Sequence, residues 1–436
     1  MVHETQQAPH KIRQIALVDA KNFYVESERS HNISLRGRPL VVLSNNDGCP
    51  VSRSDEAKKL GVAMAGAWFM YKDLAKKHGI VALSSNYPFY ADMSNRLMGV
   101  LRRFSPDQEI YSVDECFLDL TTFKDLDVTK YSHRIIKTVQ KGLGLPVRVG
   151  VGSTKTLAKL ANHCAKKRPE FNGVCNFNTM TTEAVDQVMA ETEIGDLWGV
   201  GRKLAPKLMA MGINNVLDLK QANPKRLRGQ FSVVMEKSIR ELNGIMCIEL
   251  EEIPPPRKEI LTSKSFGRPV YEYEELAEAV TAYMTRAAEK LRNQQSAAGS
   301  VRVFVQTSKF KPDQPFYANS IIIPMPSETD DTRQLVKVAL WALKKIYRPG
   351  FNYSKAGVML SELVPLEAVQ TDLFSQAQAS ENSDKVIETM DAINRKWGRS
   401  TIKLASEGKA KTWSMRVGNK SPCYTTKWAD LPIIQD

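Results

Sequence analysis

Three acidic side chains stand where an acid is costly. Asp19 ends the apolar run Gln14-Ile15-Ala16-Leu17-Val18, and Asp114 and Glu115 interrupt the strand-forming segment from Ile110 to Leu120. An ionised carboxylate at a buried strand end is unfavourable unless it is paired or holds a metal. In a regular strand Asp114 and Glu115 would point to opposite faces. They converge only if a turn falls at that pair, with Ile110–Val113 and Cys116–Leu120 as its flanks and Asp19 on a neighbouring strand. Two Mg2+ ions about 3.5–4 Å apart would relieve the repulsion of such a cluster. One would lower the pKa of an attacking hydroxyl, and both would neutralise charge on a transferring phosphoryl group. The same spacing also fits acids that cap turns or sit in ion pairs, and Asp119, on the strand flank, is read that way.

A second set of residues suits phosphate. Lys155, Lys159, Lys166, Lys167 and Arg168 stud a helical segment that follows Gly150-Val151-Gly152-Ser153. Glycine-rich turns before helices leave backbone N–H groups free for anions. No G-x-x-x-x-G-K-[ST] pattern occurs, so this is not a P-loop. A solvated basic face explains the lysines equally well, and Arg53 and Lys58 are open in the same way. Trp198-Gly199-Val200-Gly201-Arg202, between two short helical stretches, has the pattern of a helix–hairpin–helix, whose amides approach DNA phosphates without reading sequence. A plain helical turn is the alternative there.

These residues need elements to carry them. Strands are expected at 14–18, 39–43, on either side of the turn in 110–120, and at 146–152, with helices at 55–60 and 155–167. This alternation indicates an α/β or α+β domain over the first ~170 residues. Between 183 and 250 the texture changes to short helices separated by glycines. Ile253-Pro254-Pro255-Pro256 cannot continue a helix and reads as a stiff linker. Strands at 301–307, 319–323 and 356–361 and helices at 274–293 and 331–346 indicate a second compact α/β unit. From about 366 the chain turns Gln/Ser/Ala-rich, which reads as flexible, before a more ordered end from Trp397 to Asp436.

The chain has 436 residues, 42% of them hydrophobic, with 61 basic against 48 acidic side chains and a net charge of +13. On a prior of ~150 residues per domain this suggests about three domains. So basic a protein usually faces a polyanion, nucleic acid first and an anionic membrane surface second. The six cysteines form no C-x-x-C pair, which argues against a zinc ribbon or a disulfide scaffold and fits a reducing compartment. No signal-peptide core and no spanning apolar run is present. A cytoplasmic protein, nucleoid-associated when bound to DNA, is expected.

Longer runs carry a resemblance. Val18-Asp19-Ala20-Lys21-Asn22-Phe23-Tyr24, Val41 to Cys49, Ser85-Asn86-Tyr87 with Tyr90 to Arg96, Tyr111-Ser112-Val113-Asp114-Glu115, Val149 to Gly152 with Lys155 to Asn162, and Lys355 to Leu360 occur in order along nearly the whole chain. Together they resemble the Y-family DNA polymerases, and within them the UmuC branch, the catalytic subunit of bacterial DNA polymerase V. The resemblance implies a multidomain α+β right hand. A ferredoxin-like palm with fingers would span 1–182 (fingers about 37–92), a helix–hairpin–helix thumb 183–250, a linker 251–260, an α/β little finger 261–365, and a clamp-binding peptide with a partner-binding region 366–436. It also implies an error-prone translesion polymerase of the SOS response to DNA damage, using two Mg2+ ions and deoxynucleoside triphosphates. Asp19, Asp114 and Glu115 match the catalytic acids, with the Ala20 carbonyl as a further metal ligand. Phe23 would stack beneath the incoming sugar, Tyr24 would be the gate that excludes a ribose 2′-OH, Val51 and Ser52 would cover the nascent base pair, and Lys58 and Lys166 would bind the triphosphate. Gly199, Gly201 and Arg202 would touch DNA.

Gln370, Leu373 and Phe374, in Gln370-Thr371-Asp372-Leu373-Phe374, resemble a peptide that docks on the sliding clamp, with its apolar pair inserted into a cleft. Primer–template DNA, a UmuD-like dimer and RecA are the other implied partners, and no membrane is expected. Asp55 departs from the family pattern where some members carry a phosphate-binding tyrosine, and Pro50 and Cys116 are unusual variants beside the site. A non-catalytic DNA- and clamp-binding scaffold is the competing reading, although such a scaffold need not keep all three acids. A nucleotide cyclase on a related palm would explain neither Trp198 to Arg202 nor the clamp peptide.

Overall fold

The computed structural model describes residues 12–431 other than 124, 252, 254, 312, 370–380 and 410, leaving aside the side chains of 381–384. The chain forms two compact units. One takes the residues up to 43, 49–254 and those from 419 onward; the other takes 44–48 and 255–418.

The first unit is built on a five-stranded sheet. Its order is Gln108–Ile110 (β5), Glu115–Asp119 (β6), Ile15–Ala20 (β1), Val147–Gly152 (β7) and Val174–Asn176 (β8). All neighbours are antiparallel except β7 and β8. β1 lies in the middle and all six of its residues are buried, as a strand covered on both faces requires. Its side chains alternate. Ala16, Val18 and Ala20 join Cys116, Leu118, Val149 and Phe89 in the core beneath helices Phe23–His31 (α1), Tyr87–Leu101 (α4) and Val128–Leu143 (α5). Ile15 and Leu17 face the other way, packing with Phe117 against Ala158 of helix Lys155–Lys167 (α6).

Two glycines let α6 approach so closely. A Cβ on Gly150 would lie 2.0 Å from the Asn162 nitrogen, and one on Gly152 would lie 2.6 Å from the Leu157 Cβ. Thr154 caps α6 by accepting from the Leu157 N–H, and Lys155 at its start is buried in an ion pair with Glu109 of β5, 2.6 Å from the carboxylate.

A three-stranded sheet, Pro50–Arg53 (β3), Leu40–Leu43 (β2) and Val81–Ser84 (β4), carries the short helices Asp55–Lys59 (α2) and Lys72–His78 (α3) over its own small core of Val41, Leu43, Ala57, Val62 and Ile80. The helices Thr182–Ala190 (α7), Ala205–Met209 (α8), Val216–Gln221 (α9), Pro224–Gln230 (α10) and Val233–Leu242 (α11) share a core with the outer face of α6, through Leu160, Ala161 and Cys164.

The second unit is an antiparallel sheet of order Ala318–Thr329 (β11), Ser296–Thr307 (β10), Tyr353–Pro365 (β12) and Ile260–Val270 (β9), with helices Tyr273–Asn293 (α12) and Thr332–Ile346 (α13) packed on it. The sequence reading missed β9, whose run Ser263-Lys264-Ser265 interrupts any apolar pattern. It also missed the helix Glu381–Trp397 (α14), which lies just beyond the Gln/Ser/Ala-rich stretch. Arg292 of α12 holds Asp391 of α14 at 2.7 Å, and Trp413 fills a core position against Phe266 and Tyr283. The turn at 44–48 belongs here because the Asn46 amide donates to the Phe266 carbonyl at 3.1 Å. No disulfide joins any two of the six cysteines. Among the described residues no helix is long and apolar enough to cross a membrane.

Candidate active site

The alternation on β1 and β6 decides where the acids point. Asp19 shares the parity of Ile15 and Leu17, and Glu115 that of Phe117, so both belong to the α6 face. They are cross-strand partners in the β1–β6 register. Asp114 is the last residue of the turn before β6, and its carbonyl accepts from the Ala20 N–H at 2.9 Å. Ser112 ties that turn. Its hydroxyl donates to Asp114 Oδ1 at 2.6 Å and accepts from the N–H groups of Asp114 and Glu115. The three acids therefore meet at one end of the sheet, although they come from segments about a hundred residues apart.

Each carboxylate has a partner. Lys166 donates to Asp19 Oδ2 at 2.6 Å, and Lys159 reaches both oxygens of Glu115 at 3.0 and 3.1 Å. The two lysines are seven residues apart, two helical turns, so they share one face of α6. Lys159 is held by rings as well, 4.1 Å above Tyr111 and 5.4 Å from Trp198, whose indole donates to the Tyr111 hydroxyl at 3.1 Å. Burial lifts the Asp19 carboxyl to about 7. Lys166 pulls it down, and the charges of Glu115 and Asp114 push it further up. A desolvated carboxylate beside two others is a strong demand for cation. Hard oxygen donors of this kind suit magnesium, so the residues fit the expected metal. No described group of three His, Cys, Asp or Glu side chains is gathered closely enough to enclose an ion; Lys166, Lys159 and Ser112 each bond one of the three carboxylates. Asp119 accepts from the Thr121 N–H at 2.8 Å, an ordinary turn cap.

The remaining residues fall into two places. Tyr24, at the start of α1, is half-buried and stacks on Tyr90 at 4.4 Å with 17° between the rings, while Tyr87 meets it edge-on at 6.3 Å. Phe23 is almost wholly buried in the core, and Ser52 is buried with its hydroxyl accepting from the Val25 N–H at 3.4 Å. Val51 is partly buried beside it on β3.

Lys58 of α2 donates to the Asn22 side chain at 2.6 Å and pairs with Asp55 at 3.2 Å. Lys21 also bonds Asp55. Burial would raise that carboxyl, but the hydrogen bonds from Lys21, Asn22 and Lys58 outweigh it and hold the group down at about 2. Asp55 thus gathers cations next to the acid cluster's own strand end. Gly199 has a left-handed backbone (φ 88°) and, with Gly201 and Arg202, is exposed at the turn before α8. The clamp-peptide residues Gln370, Leu373 and Phe374 lie outside the described residues. From the sequence Lys159 was only part of a basic face; its link to Glu115 depends on the sheet register, which no local pattern reveals.

The comparisons fit this geometry. Residues 18–163 match the impB/mucB/samB family, residues 257–373 its C-terminal domain, and residues 384–434 a domain of unknown function (DUF4113). Protein UmuC of Salmonella typhimurium is 42% identical over 418 residues, covering 95% of this chain and 99% of its own. The chain belongs to the UmuC-type Y-family DNA polymerases. Its relation to DNA polymerase IV of Desulfatibacillum aliphaticivorans is more distant, 26% identity over 89% of this chain and 95% of that one. The fold is also that of a Y-family DNA polymerase chimera of Dbh and Dpo4, with a TM-score of 0.63 at 21% identity, covering 80% of this polymerase and 99% of the chimera. As a member of this family it is a DNA-directed DNA polymerase that works in translesion synthesis.

Proposed function

We propose that this polymerase extends a primer opposite damaged template bases by two-metal phosphoryl transfer, as part of the SOS response. The observation that carries the reading is the register that sets Asp19 beside Glu115 and ties Ala20 to Asp114. Two Mg2+ ions, held by Asp19, Asp114, Glu115 and the Ala20 carbonyl, would supply activation of the primer hydroxyl and charge neutralisation at the phosphates. The chain's own groups do the rest. Lys166 leaves Asp19 for a triphosphate oxygen, and Lys58, released from Asn22, meets the same phosphates; each gains a stronger anionic partner. Lys159 stays on Glu115, where the rings of Tyr111 and Trp198 hold it, and orients that carboxylate. The Tyr24 ring leaves no room for a 2′-OH, with Phe23 beneath the incoming sugar and Val51 and Ser52 covering the nascent base pair.

In this reading residues 1–182 act as palm and fingers, 183–250 as thumb and 261–365 as little finger. Gly199, Gly201 and Arg202 contact DNA phosphate. The peptide with Gln370, Leu373 and Phe374 docks on a sliding clamp, and the C-terminal region meets a UmuD-like dimer and RecA in the cytoplasm. The test is primer extension past an abasic site with Mg2+, clamp and partner proteins supplied. Asp114→Ala should abolish extension while primer–template binding stays within about twofold. Extension by Asp114→Ala at the wild-type rate would overturn the catalytic assignment.

A further inference from the structure

The last described stretch of the chain, 419–431, returns to the first unit and ends up behind Tyr24. It enters as an added edge to β4. The Ser84 N–H donates to the Asn419 carbonyl at 2.9 Å, the Asn419 N–H returns to the Ser84 hydroxyl at 3.0 Å, and Lys420 bridges Ser84 in parallel. Asn86, wholly buried at the start of α4, then grips it, its amide donating to the Ser421 carbonyl (3.1 Å), the Ser421 hydroxyl (3.0 Å) and the Pro422 carbonyl (3.1 Å). Tyr424 closes the contact, stacked on His31 at 5.6 Å and edge-on to Phe89 at 5.6 Å.

Inside this clasp lies a buried carboxyl that pairs with no cation among the described residues. Glu28 of α1 has no exposed surface. Its Oε1 accepts from the Tyr90 hydroxyl at 2.7 Å and from the Ser421 hydroxyl at 2.8 Å, and its Oε2 has no partner. Burial raises its pKa, and the two hydroxyls oppose that only in part. The Tyr90 ring whose hydroxyl is fixed here is the one on which Tyr24 stacks at 4.4 Å. A side chain's position is only as firm as the groups that lock it.

We propose that Ser421 and its neighbours in the C-terminal segment are positioning residues for sugar selection: through Glu28 and Tyr90 they set the plane of Tyr24, so that the region matching a domain of unknown function controls how strictly ribonucleotides are refused. This rests on the reading of Tyr24 as the gate. The tail does not touch the substrate. It fixes a hydroxyl, the hydroxyl fixes a ring, and the ring supports the gate.

The experiment measures single-nucleotide insertion of dNTP and of rNTP by the full-length polymerase with its partners, for wild type, Tyr24→Ala, Ser421→Ala, Tyr424→Ala, Glu28→Gln and the double variant Tyr24→Ala/Ser421→Ala. Ser421→Ala removes two hydrogen bonds, the one its hydroxyl donates to Glu28 and the one it accepts from Asn86, and should raise the rNTP:dNTP ratio of kcat/KM about three- to tenfold, with dNTP kcat within about twofold. Tyr424→Ala, which loosens the tail without touching Glu28, should move the ratio in the same direction. Glu28→Gln keeps a carbonyl acceptor for both hydroxyls and should stay near wild type. In the Tyr24→Ala background Ser421→Ala should add nothing, because the two act through one ring. Unchanged selectivity in Tyr24→Ala sinks the gate reading and this proposal with it. A changed ratio in Tyr24→Ala but not in Ser421→Ala or Tyr424→Ala, or equal losses of dNTP and rNTP insertion in both tail variants, overturns the proposal alone.

Discussion

At the scale of single residues, the acid end of the sheet crowds carboxylates together at the expense of stability. Asp19 is buried, faces two other carboxylates and is held by a lysine that is itself more than a third exposed. Removing its charge should therefore help the metal-free fold while ending catalysis. Asp19→Asn is expected to raise the thermal midpoint in magnesium-free buffer by about 2–4 °C, corresponding to about 1 kcal/mol. A midpoint below that of wild type would show that the Lys166 ion pair outweighs the desolvation. The acids were legible in the sequence because each breaks an apolar run, and a turn at Asp114 was the one geometry that let adjacent acids converge. Their partners were not legible. Lys159 and Lys166 looked like any basic helical face, and Glu28 was not singled out, since a hydroxyl arriving from residue 421 leaves no local trace.

Among elements, α6 is the one that sets the site. Its start at Lys155 and end at Lys167 follow the sequence reading closely, because Thr154 is a good cap and the apolar positions recur at helical spacing. Its distance from the sheet is set by the absence of a side chain at Gly150. Gly150→Ala should push α6 outward, cost at least about 1–3 kcal/mol as overpacking does, and move both lysines off their carboxylates. Gly142, near the end of α5, has open space around its missing Cβ, so Gly142→Ala should instead add up to about 1 kcal/mol of stability. Chemical denaturation of the pair checks this, and a similar effect of both variants would refute the packing argument. Among the elements the sequence did not reveal, β9 is broken by Ser263-Lys264-Ser265 and owes its form to the strand and helix it packs against, whereas α14 carries Val386, Met390, Ile393 and Trp397 at helical spacing, a signal overlooked beside the Gln/Ser/Ala-rich stretch before it.

For the molecule as a whole, the excess of 61 basic over 48 acidic side chains predicts how DNA binding responds to salt. If six or more phosphates are neutralised, the dissociation constant for primer–template should rise by about a thousandfold or more between 50 and 200 mM salt. A rise of less than about tenfold would mean that most of the positive charge faces away from DNA.

The path of the chain adds one more expectation. The stretch after residue 380 is fastened at both of its halves, by Asp391 and Trp413 to the second unit and by Ser421 and Tyr424 to the first. Its grip on the rest does not rely on the peptide bonds that precede it. Two separate polypeptides, 1–369 and 381–436, produced together in one cell, should find each other and co-purify as a reconstituted polymerase, joined by non-covalent contacts alone.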